Sequence, residues 1–508
     1  MAQGELPFKY EEEKKTTGMT ALAGLPVYLD LAQKTGLRES IQKHLKVREG
    51  SQGWTDSQIM ISLILLNLAG GDCVDDMRIM EADDGFCEIL KRSEIHGLKR
   101  KDRRALLNRW RKKRTRTVPS PSSIFRYLEA FHDAEQERNR QEGRAFIPTP
   151  NKHLRALSFI NKDIAGFANI QNSEETATLD MDATVVATNK EQSLYCYKGY
   201  KSYQPINTWW AEQGIILHSE FRDGNVPAGY EQLRVLKEAL GCLPEGVKKL
   251  RIRSDTAGYQ HNLLKYCEMA ENQRFGRIEF AIGCNVTPEF KKAVAEVEES
   301  EWKPLYKMVD GKKYKTSTEW AEVCFVPNAI GHSKKGPEYR YLAKREKMSV
   351  QLPLPGMEQQ VQLPFQTMDI ENKKYKLFGM VTNMDWEGGN LINWHHERCG
   401  KSEEVHSVMK HDLAGGKLPS GDFGENAAWW WIMIITHNLN AIMKTQALGK
   451  TWSSKRMKAI RFSFIKLPGR VVERSRGLII RLTRNHPSLE LLINARRRIS
   501  MMVPVPSG

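Results

Sequence analysis

The order of strand-like and helix-like segments between residues 174 and 286 constrains the fold more than any other feature of this chain. Three strand patterns come in succession, and then helical and strand patterns alternate. The segments are, in order, strands at 176–187, 203–210 and 214–221, a helix at 227–240, a strand at 249–254, a helix at 259–272 and a strand at 278–286. Strands that alternate with helices are typical of α/β domains. We therefore expect an α/β core.

The sequence on either side of this core divides by composition. An apolar run at 59–68 follows Asp56, which is placed as a helix N-cap, and Gly70 ends it. A second helical pattern begins at Pro121, so the preceding basic stretch fits either a helix-turn-helix element or a plain helical linker. The predicted regions are an N-terminal helical domain (1–90), a basic segment (91–173), the first part of the core (174–286), a mainly β insertion (287–380), the second part of the core (381–445) and a basic C-terminal region (446–508).

The positive charge is concentrated in two blocks. The chain has 508 residues and a net charge of +16, but residues 91–117 carry +11 and residues 444–498 carry +13, which leaves −8 for the remainder. Two dense basic blocks predict a polyanionic partner held in two places, and solvated surface patches are the alternative. The expected contacts are Arg109, Arg111, Lys112, Lys113, Arg114, Arg126, Lys455, Arg456, Lys458, Arg461, Arg470 and Arg474.

Cysteine spacing and hydropathy indicate a cytosolic location. The 8 cysteines are irregularly spaced and form no C-x-x-C pair, which argues against a zinc ribbon or a disulfide framework. The first residues lack the apolar run of a signal peptide, and the most apolar stretch, 59–69, is too short to span a bilayer. We expect a soluble protein without a membrane partner.

Three carboxylate motifs carry the candidate chemistry. Asp180 and Asp182 alternate with apolar residues in one strand and therefore share a face, where they must be solvated, paired or bound to a metal. Asp255 follows another strand, at the end where α/β sheets bind ligands, although an N-cap role is also open. Glu403, His406 and Lys410 have the spacing of one helix face, and a solvated face is the alternative.

These motifs together resemble a known family. Asp182-x-Thr184, Asp255-Thr-Ala-Gly-Tyr and Arg398-(4)-Glu403-(6)-Lys410 are similar to the motifs of bacterial insertion-sequence DDE transposases, in particular the insertion-sequence-1380 family. The resemblance implies an RNase H-like α/β catalytic core interrupted by a mainly β insertion, with an α-helical N-terminal DNA-binding region and a basic helical C-terminal tail. It covers most of the chain.

The resemblance also implies roles for individual residues. Asp182, Asp255 and Glu403 would be the catalytic, metal-binding triad, with Asp180 as the rival for the first acid. The cofactor would be two Mg²⁺ ions, with Mn²⁺ as a substitute, because paired Mg²⁺ ions suit phosphodiester cleavage. Supporting residues would be Asp180, Arg398, His406 and Lys410.

Two departures from the family pattern are visible. His395 stands near the position of the signature tyrosine, and the gap between Arg398 and Glu403 is one residue longer than usual. The neighbouring run Trp394-His395-His396-Glu397 with Cys399 offers zinc-ligand types, but consecutive residues cannot all point at one ion. Trp429-Trp430-Trp431 suits either base stacking or a helix core, and we favour the core.

The function that the resemblance implies is DNA transposition. The protein would bind double-stranded terminal inverted repeats, cut the element's ends by a cut-and-paste route with hairpin ends, and join them to target DNA as a homodimer in the bacterial cytoplasm. The alternatives are a catalytically silent DNA-binding descendant and a stand-alone RNase H-like nuclease.

Overall fold

A ten-stranded mixed sheet runs through the middle of the protein, as seen in a computed structural model. The structure describes residues 18–50, 52–110, 114–309, 311–327, 339–348, 365–370, 373–474 and 477–504. Its strands are β1 (Met19–Thr20), β2 (Thr176–Ala183), β3 (Val186–Ala187), β4 (Leu194–Tyr195), β5 (Lys201–Tyr203), β6 (Ile206–Trp210), β7 (Ile215–Glu220), β8 (Lys249–Ser254), β9 (Glu279–Cys284), β10 (Lys303–Val309), β11 (Lys312–Val323), β12 (Arg340–Lys347), β13 (Thr367–Ile370), β14 (Lys373–Thr382), β15 (Gly469–Arg474) and β16 (Gly477–Arg481).

The strand order of the large sheet is β10-β11-β12-β14-β9-β8-β2-β6-β7, with β13 paired to β14. Strands β6 and β7 continue from β2 in antiparallel pairs, whereas β8 and β9 lie parallel to β2 and to each other. The predicted order of three strands followed by helix, strand, helix and strand is confirmed. The bounds predicted for β8 agree with the structure at both ends.

The region predicted as a β insertion extends this same sheet. Strand β14 pairs antiparallel with β9, and β12, β11 and β10 follow outward. The sequence pattern of residues 306–314 predicts one strand in this region. That prediction is wrong, because the chain reverses between β10 and β11. A short helix, Pro288–Ala295, also precedes these strands.

Helices cover the sheet and build the N-terminal region. They are α1 (Pro26–Lys34), α2 (Leu37–His44), α3 (Asp56–Ala69), α4 (Met77–Glu81), α5 (Asp84–Ile95), α6 (Arg100–Leu107), α7 (Pro121–Leu128), α8 (Ala134–Glu137), α9 (Lys152–Gln171), α10 (Gln232–Cys242), α11 (His261–Glu268), α12 (Pro288–Ala295), α13 (Gly388–His396), α14 (Arg398–Ser407), α15 (Phe423–Ile442), α16 (Lys450–Ser453), α17 (Met457–Ile460) and α18 (Leu489–Met501). Helix α15 contacts α3, α9 and β7, so it lies at the centre of the molecule. Trp429 and Trp430 on it are fully buried, which confirms the core interpretation of the tryptophan run.

The N-cap of helix α3 lies one residue before the predicted cap, and the helix begins at Asp56. Thr55 is the N-cap and forms a capping box with Gln58. Asp56 instead accepts hydrogen bonds from the Tyr127 hydroxyl (2.9 Å) and the Arg48 amide (3.2 Å). Gly70 ends the helix in the left-handed conformation, as predicted. Within the described part of the chain, no single helix has the length and hydropathy of a membrane span, although α3 and residues 74–81 meet them together across a 95° bend.

The segment between α6 and α7 bears on the helix-turn-helix alternative. Helix α7 starts at Pro121 with Ser120 as its N-cap, as the sequence indicated. However, residues 108–120 separate the two helices, whereas a helix-turn-helix turn has only about 3–4 residues. This spacing favours the helical linker.

The C-terminal region returns to the N-terminal helices. Strand β1 pairs with β15, and α18 packs against α1. Arg496 on α18 forms an ion pair with Asp30 on α1 at 2.6 Å. The first and last elements that the structure describes therefore fold together.

Candidate active site

Two of the predicted acids lie at the carboxyl ends of neighbouring parallel strands, at the same edge of the sheet. The register of β2 and β8 pairs Asp180 with Arg253 and Met181 with Ser254, so Asp182 and Asp255 come next on each strand. The side chain of Asp182 is 22% exposed. Asp255 caps a short 3-10 turn, Thr256–Gly258, by accepting a hydrogen bond from the Ala257 amide at 2.9 Å. Residues 73 apart in sequence thus become neighbours at a strand end.

The environment of Asp255 opposes its ionisation. Burial raises the pKa of this carboxyl, the Ala257 amide lowers it, and the negative charge of Asp182 raises it further. A nearby cation would stabilise the ionised Asp255, because its charge offsets both the cost of burial and the repulsion from Asp182.

Asp180 has a different partner, although it shares a strand face with Asp182. Its two oxygens accept hydrogen bonds from Arg253 Nε (2.6 Å) and Nη2 (2.8 Å), and both side chains are 2% exposed. This bidentate pair explains how a second acid is tolerated on an apolar strand. Burial raises the pKa of Asp180, and Arg253 opposes that effect.

Arg253 also binds the segment that carries the third predicted acid. Its Nη1 donates to the Trp394 carbonyl at 2.6 Å and lies 3.4 Å from Glu397 Oε2, and its guanidinium is 4.9 Å from the Trp394 ring. Trp394 lies near the end of α13, and α14 follows directly. One buried side chain therefore fastens β2, β8 and the α13–α14 junction together.

Helix α14 places Ser402 and His406 against Asp182. The Ser402 hydroxyl donates a hydrogen bond to Asp182 Oδ2. His406 Nδ1 lies 3.9 Å from the same oxygen. Burial lowers the pKa of His406 to about 4, so the imidazole is neutral at pH 7 and this contact is not an ion pair. Neither contact neutralises the Asp182 carboxylate.

Glu403 follows Ser402 on α14 and is exposed. The carboxylates of Asp182, Asp255 and Glu403 do not all lie within 4.8 Å of one another, because the described residues contain one such three-ligand group and it lies elsewhere. The helix is interrupted just before, at Cys399 and Gly400, where Gly400 has φ +85°. The structure thus brings the two aspartates together, and Glu403 is next in sequence to Ser402, which contacts Asp182.

Arg398 and Lys410 are the other predicted members of the motif. Arg398 is the first residue of α14, and Lys410 follows the end of this helix. Arg398 is buried and lines a cleft next to Asp255. Lys410 lies in a π-helical turn, Val408–Asp412, and its Nζ is 3.4 Å from the Val185 carbonyl just beyond β2. Burial lowers the pKa of Lys410. A π-helical turn is frequent at functional sites.

The cleft beside Asp255 has a volume of about 970 Å³. Its wall includes His396, whose Nε2 is 2.9 Å from Lys344 Nζ. His395, near the family's tyrosine position, contacts the Ser254 carbonyl at 2.9 Å, and burial lowers its pKa to about 3. The zinc alternative for this segment is not supported, since no three such ligands converge here among the described residues.

The three ligand-type side chains that do converge are His132, Glu137 and Asp422. Glu137 accepts hydrogen bonds from the amides of Phe423 (3.0 Å) and Gly424 (2.8 Å) and lies 3.0 Å from His132 Nδ1. These contacts anchor the N-terminus of α15 and account for the cluster as part of the fold.

Several predicted DNA contacts have partners inside the protein. Arg109 donates to the carbonyls of Gly53 and Gly50, at 2.9 and 2.8 Å. Arg114 pairs with Glu94 at 2.8 Å and lies 4.6 Å from the Trp54 ring. Arg461 donates to the carbonyls of Asn67, Leu68 and Asp412.

Other predicted contacts are exposed. They are Arg126, Lys455, Arg456, Lys458, Arg470 and Arg474. Of these, Arg456 also approaches Asp412 at 3.3 Å. Arg111, Lys112 and Lys113 lie outside the described residues.

Sequence reasoning missed Arg253 and Ser402. The pairing of Arg253 with Asp180 depends on the β2–β8 register, which no local pattern reveals. Ser402 was within reach of the sequence, because it lies four residues before His406 and so on the same helix face.

Comparison with known proteins identifies the family of the chain. The profile of the family described as "Transposase DDE domain group 1" matches residues 13–504. A similar solved structure is the cryo-EM structure of a piggyBac transposase synaptic complex with hairpin DNA; the match has 11% identity and a TM-score of 0.43 and covers 96% of this chain and 86% of that one. No curated protein matches the chain. The profile spans nearly the whole sequence, so the chain belongs to the DDE transposase domain family, group 1.

Proposed function

We propose that the protein is a DNA transposase that cuts DNA at the ends of a mobile element and joins them to target DNA. The observation that carries this proposal is that Asp182 and Asp255 lie at adjoining ends of parallel strands, with Ser402 of α14 hydrogen-bonded to Asp182. The strand order β7-β6-β2-β8-β9, three antiparallel strands followed by two parallel ones, supports the RNase H-like core that the sequence motifs implied.

The donor set fits a divalent metal. Asp182 and Asp255 offer carboxylate oxygens at one sheet edge. Burial and the charge of Asp182 raise the pKa of Asp255, and the Ala257 amide and the Arg398 charge offset this only in part. Hard cations such as Mg²⁺ bind oxygen donors and retain water and substrate ligands. Asp182, Asp255 and Glu403 would hold the metal, which we take to be two Mg²⁺ ions that Mn²⁺ can replace. When bound, the ions would polarise the phosphate and activate the attacking hydroxyl.

The surrounding side chains have supporting roles in this proposal. Ser402 orients Asp182 through its hydrogen bond, and the neutral His406 excludes water without adding charge. Arg398, on the cleft wall, and Lys410 supply positive charge for DNA phosphates. The exposed residues Lys455, Lys458 and Arg474 bind the DNA backbone farther from the cut.

The finer features of the reaction are part of the same proposal. They are membership of the bacterial insertion-sequence-1380 group, recognition of terminal inverted repeats, cut-and-paste excision through hairpin ends, a homodimer in the synaptic complex, and action in the cytoplasm.

The decisive experiment is Mg²⁺-dependent cleavage of a duplex that contains an element end. Wild type and Glu404→Ala should cut, whereas Asp182→Ala and Asp255→Ala should not. Glu404 is a matched control because it is an exposed acid on α14 and lines a groove with Lys444 whose wall includes neither Asp182 nor Asp255. If Asp255→Ala cuts as well as wild type, the proposed triad is wrong.

The two alternatives predict different products. A silent DNA-binding descendant would bind the duplex without cutting it, and a stand-alone nuclease would cut without joining the ends to a second DNA. Inverted repeats and a short target duplication around the gene would support transposition.

A further inference from the structure

The hairpin formed by β10 and β11 ends in a two-stranded ribbon that projects from the sheet. We call residues 306–309 and 312–315 the basic ribbon. Pairing joins Tyr306 to Lys315, Lys307 to Tyr314, Met308 to Lys313 and Val309 to Lys312. Strand β12 pairs with β11 only from Thr318 onward, so within the described residues the two strands of the ribbon pair only with each other.

All eight side chains of the basic ribbon are exposed, on both of its faces. Among them, Met308 is 65% exposed, Val309 52% and Tyr314 52%. A two-stranded hairpin is marginally stable alone in water, and clustered exposed apolar side chains mark interaction surfaces. The ribbon therefore has the character of a surface that is covered when a partner binds.

The charge of this surface identifies the partner's chemistry. Residues 303–318 include five lysines and one acidic residue, Asp310. Within the described part of the chain, no carboxylate forms an ion pair with Lys307, Lys312, Lys313 or Lys315. Lys313 Nζ lies 4.4 Å from the centre of the Tyr306 ring. Uncompensated lysines interleaved with aromatic rings suit a polyanion, and nucleic acid above all.

The ribbon stands beside the candidate active site. Asn393 on α13 donates a hydrogen bond to the Tyr306 carbonyl at 2.7 Å, and α13 leads directly into α14. The charge of Lys307 contributes to lowering the pKa of His396 and Lys344, two residues of the cleft wall next to Asp255. A duplex that reaches the paired aspartates would pass close to the ribbon.

We infer that the basic ribbon is a DNA-binding arm that enters the major groove of the duplex next to the bond being cut. The major groove admits a two-stranded ribbon, and side chains on both faces can then reach the two flanking phosphate backbones. This inference rests on the proposed function, since it concerns the DNA on which that site acts.

The test is the salt dependence of DNA binding. The ribbon variant carries Lys307→Ala, Lys312→Ala, Lys313→Ala and Lys315→Ala. The matched control carries Lys152→Ala, Lys249→Ala, Lys265→Ala and Lys292→Ala, four exposed lysines on other elements. Lys249 is the first residue of β8, at the opposite end of this strand from Asp255. Circular dichroism and thermal melting check that both variants fold.

Affinity for an end-containing duplex is measured by fluorescence anisotropy at a series of salt concentrations. Each lost phosphate contact lowers the slope of log K against log salt by about 0.9. The ribbon variant should lose about 2 to 4 in slope, and the control should match wild type. Equal slopes for wild type and the ribbon variant would overturn the inference, as would an equal loss in the control.

Further arms separate this inference from the proposed function. If the ribbon variant binds DNA normally while Asp182→Ala abolishes cutting, the ribbon inference fails and the transposase proposal stands. If the ribbon variant weakens binding only to single-stranded DNA of the same sequence, insertion into a duplex groove is refuted. If wild type binds no duplex at all, both proposals fail.

Discussion

Asp180 and Asp182 lie on one face of the same strand, and we predict opposite phenotypes for their loss. Asp180→Ala removes the two hydrogen bonds to Arg253 and leaves a 2% exposed guanidinium whose remaining acidic partner, Glu397, is 59% exposed and 3.4 Å away. Breaking a buried ion pair in this way costs about 3–5 kcal/mol. Asp182 is 22% exposed and accepts a hydrogen bond from Ser402, so Asp182→Ala should cost only about 1 kcal/mol.

The two assays are urea denaturation at pH 7 and cleavage of an end-containing duplex, corrected for the folded fraction. Asp182→Ala should cut at least about 100-fold more slowly, equivalent to about 2.7 kcal/mol of activation free energy. Asp180→Ala should be strongly destabilised and lose less than about 10-fold in cleavage per folded molecule.

A double variant tests the ion-pair argument itself. Asp180→Leu with Arg253→Met removes both charges, and replacing both partners of a buried pair by apolar residues is often close to neutral. Its stability should therefore return to within about 1 kcal/mol of wild type. The reasoning is refuted if Asp180→Ala is as stable as wild type, or if folded Asp180→Ala fails to cut while Asp182→Ala cuts normally.

Three further predictions follow from the site and its surroundings. Glu403→Gln should lower cleavage at least about 100-fold. Glu404→Gln, at an exposed neighbour that lines the groove with Lys444, should leave cleavage unchanged in the same assay. Asp255→Asn should be more stable than wild type at pH 7 without metal. Since the folded-state pKa of Asp255 is raised, its favourable contribution exists below the unfolded pKa and is lost as pH rises through the folded pKa. The stability difference should therefore vanish in denaturation experiments at acidic pH; a difference that persists there would contradict the electrostatic cause. Arg461→Met should destabilise the protein by about 1–3 kcal/mol, because it leaves the carbonyls of Asn67 and Leu68 without their donor. It should leave the salt slope of DNA binding unaltered, and a lowered slope would show that this guanidinium reaches phosphates.

The sequence predicted the core where local patterns determine the structure. Strand β8 alternates apolar and basic residues between clear boundaries. The predicted strand order also places Asp255 at the carboxyl end of a strand. The Asp310-Gly311 dipeptide is also a strong hairpin signal, so the turn between β10 and β11 was available to sequence reasoning and was overlooked.

Tertiary contacts determine what the sequence could not predict. In its local sequence Arg253 looks like an ordinary charged strand residue. Its role depends on Asp180, its register partner on the adjacent strand. The π-helical turn around Lys410 has no periodic signature, because apolar spacing at 405, 408 and 409 fits an α-helix equally well. The packing of β15 against β1 joins segments about 450 residues apart, beyond the reach of any local pattern.

Net charge counted along the chain does not distinguish basic side chains that are paired within the fold from basic side chains that are exposed. Arg109, Arg114 and Arg461 belong to the two most basic blocks, yet their donors satisfy backbone carbonyls or Glu94 within the fold. The basic ribbon, in contrast, belongs to the part of the sequence that sums to −8, and its four lysines are exposed together on a two-stranded projection. An arginine that satisfies buried carbonyls contributes little to counterion release, whereas an exposed lysine without a carboxylate partner contributes fully. The salt slope of binding should therefore depend more on the ribbon than on these three arginines of the blocks.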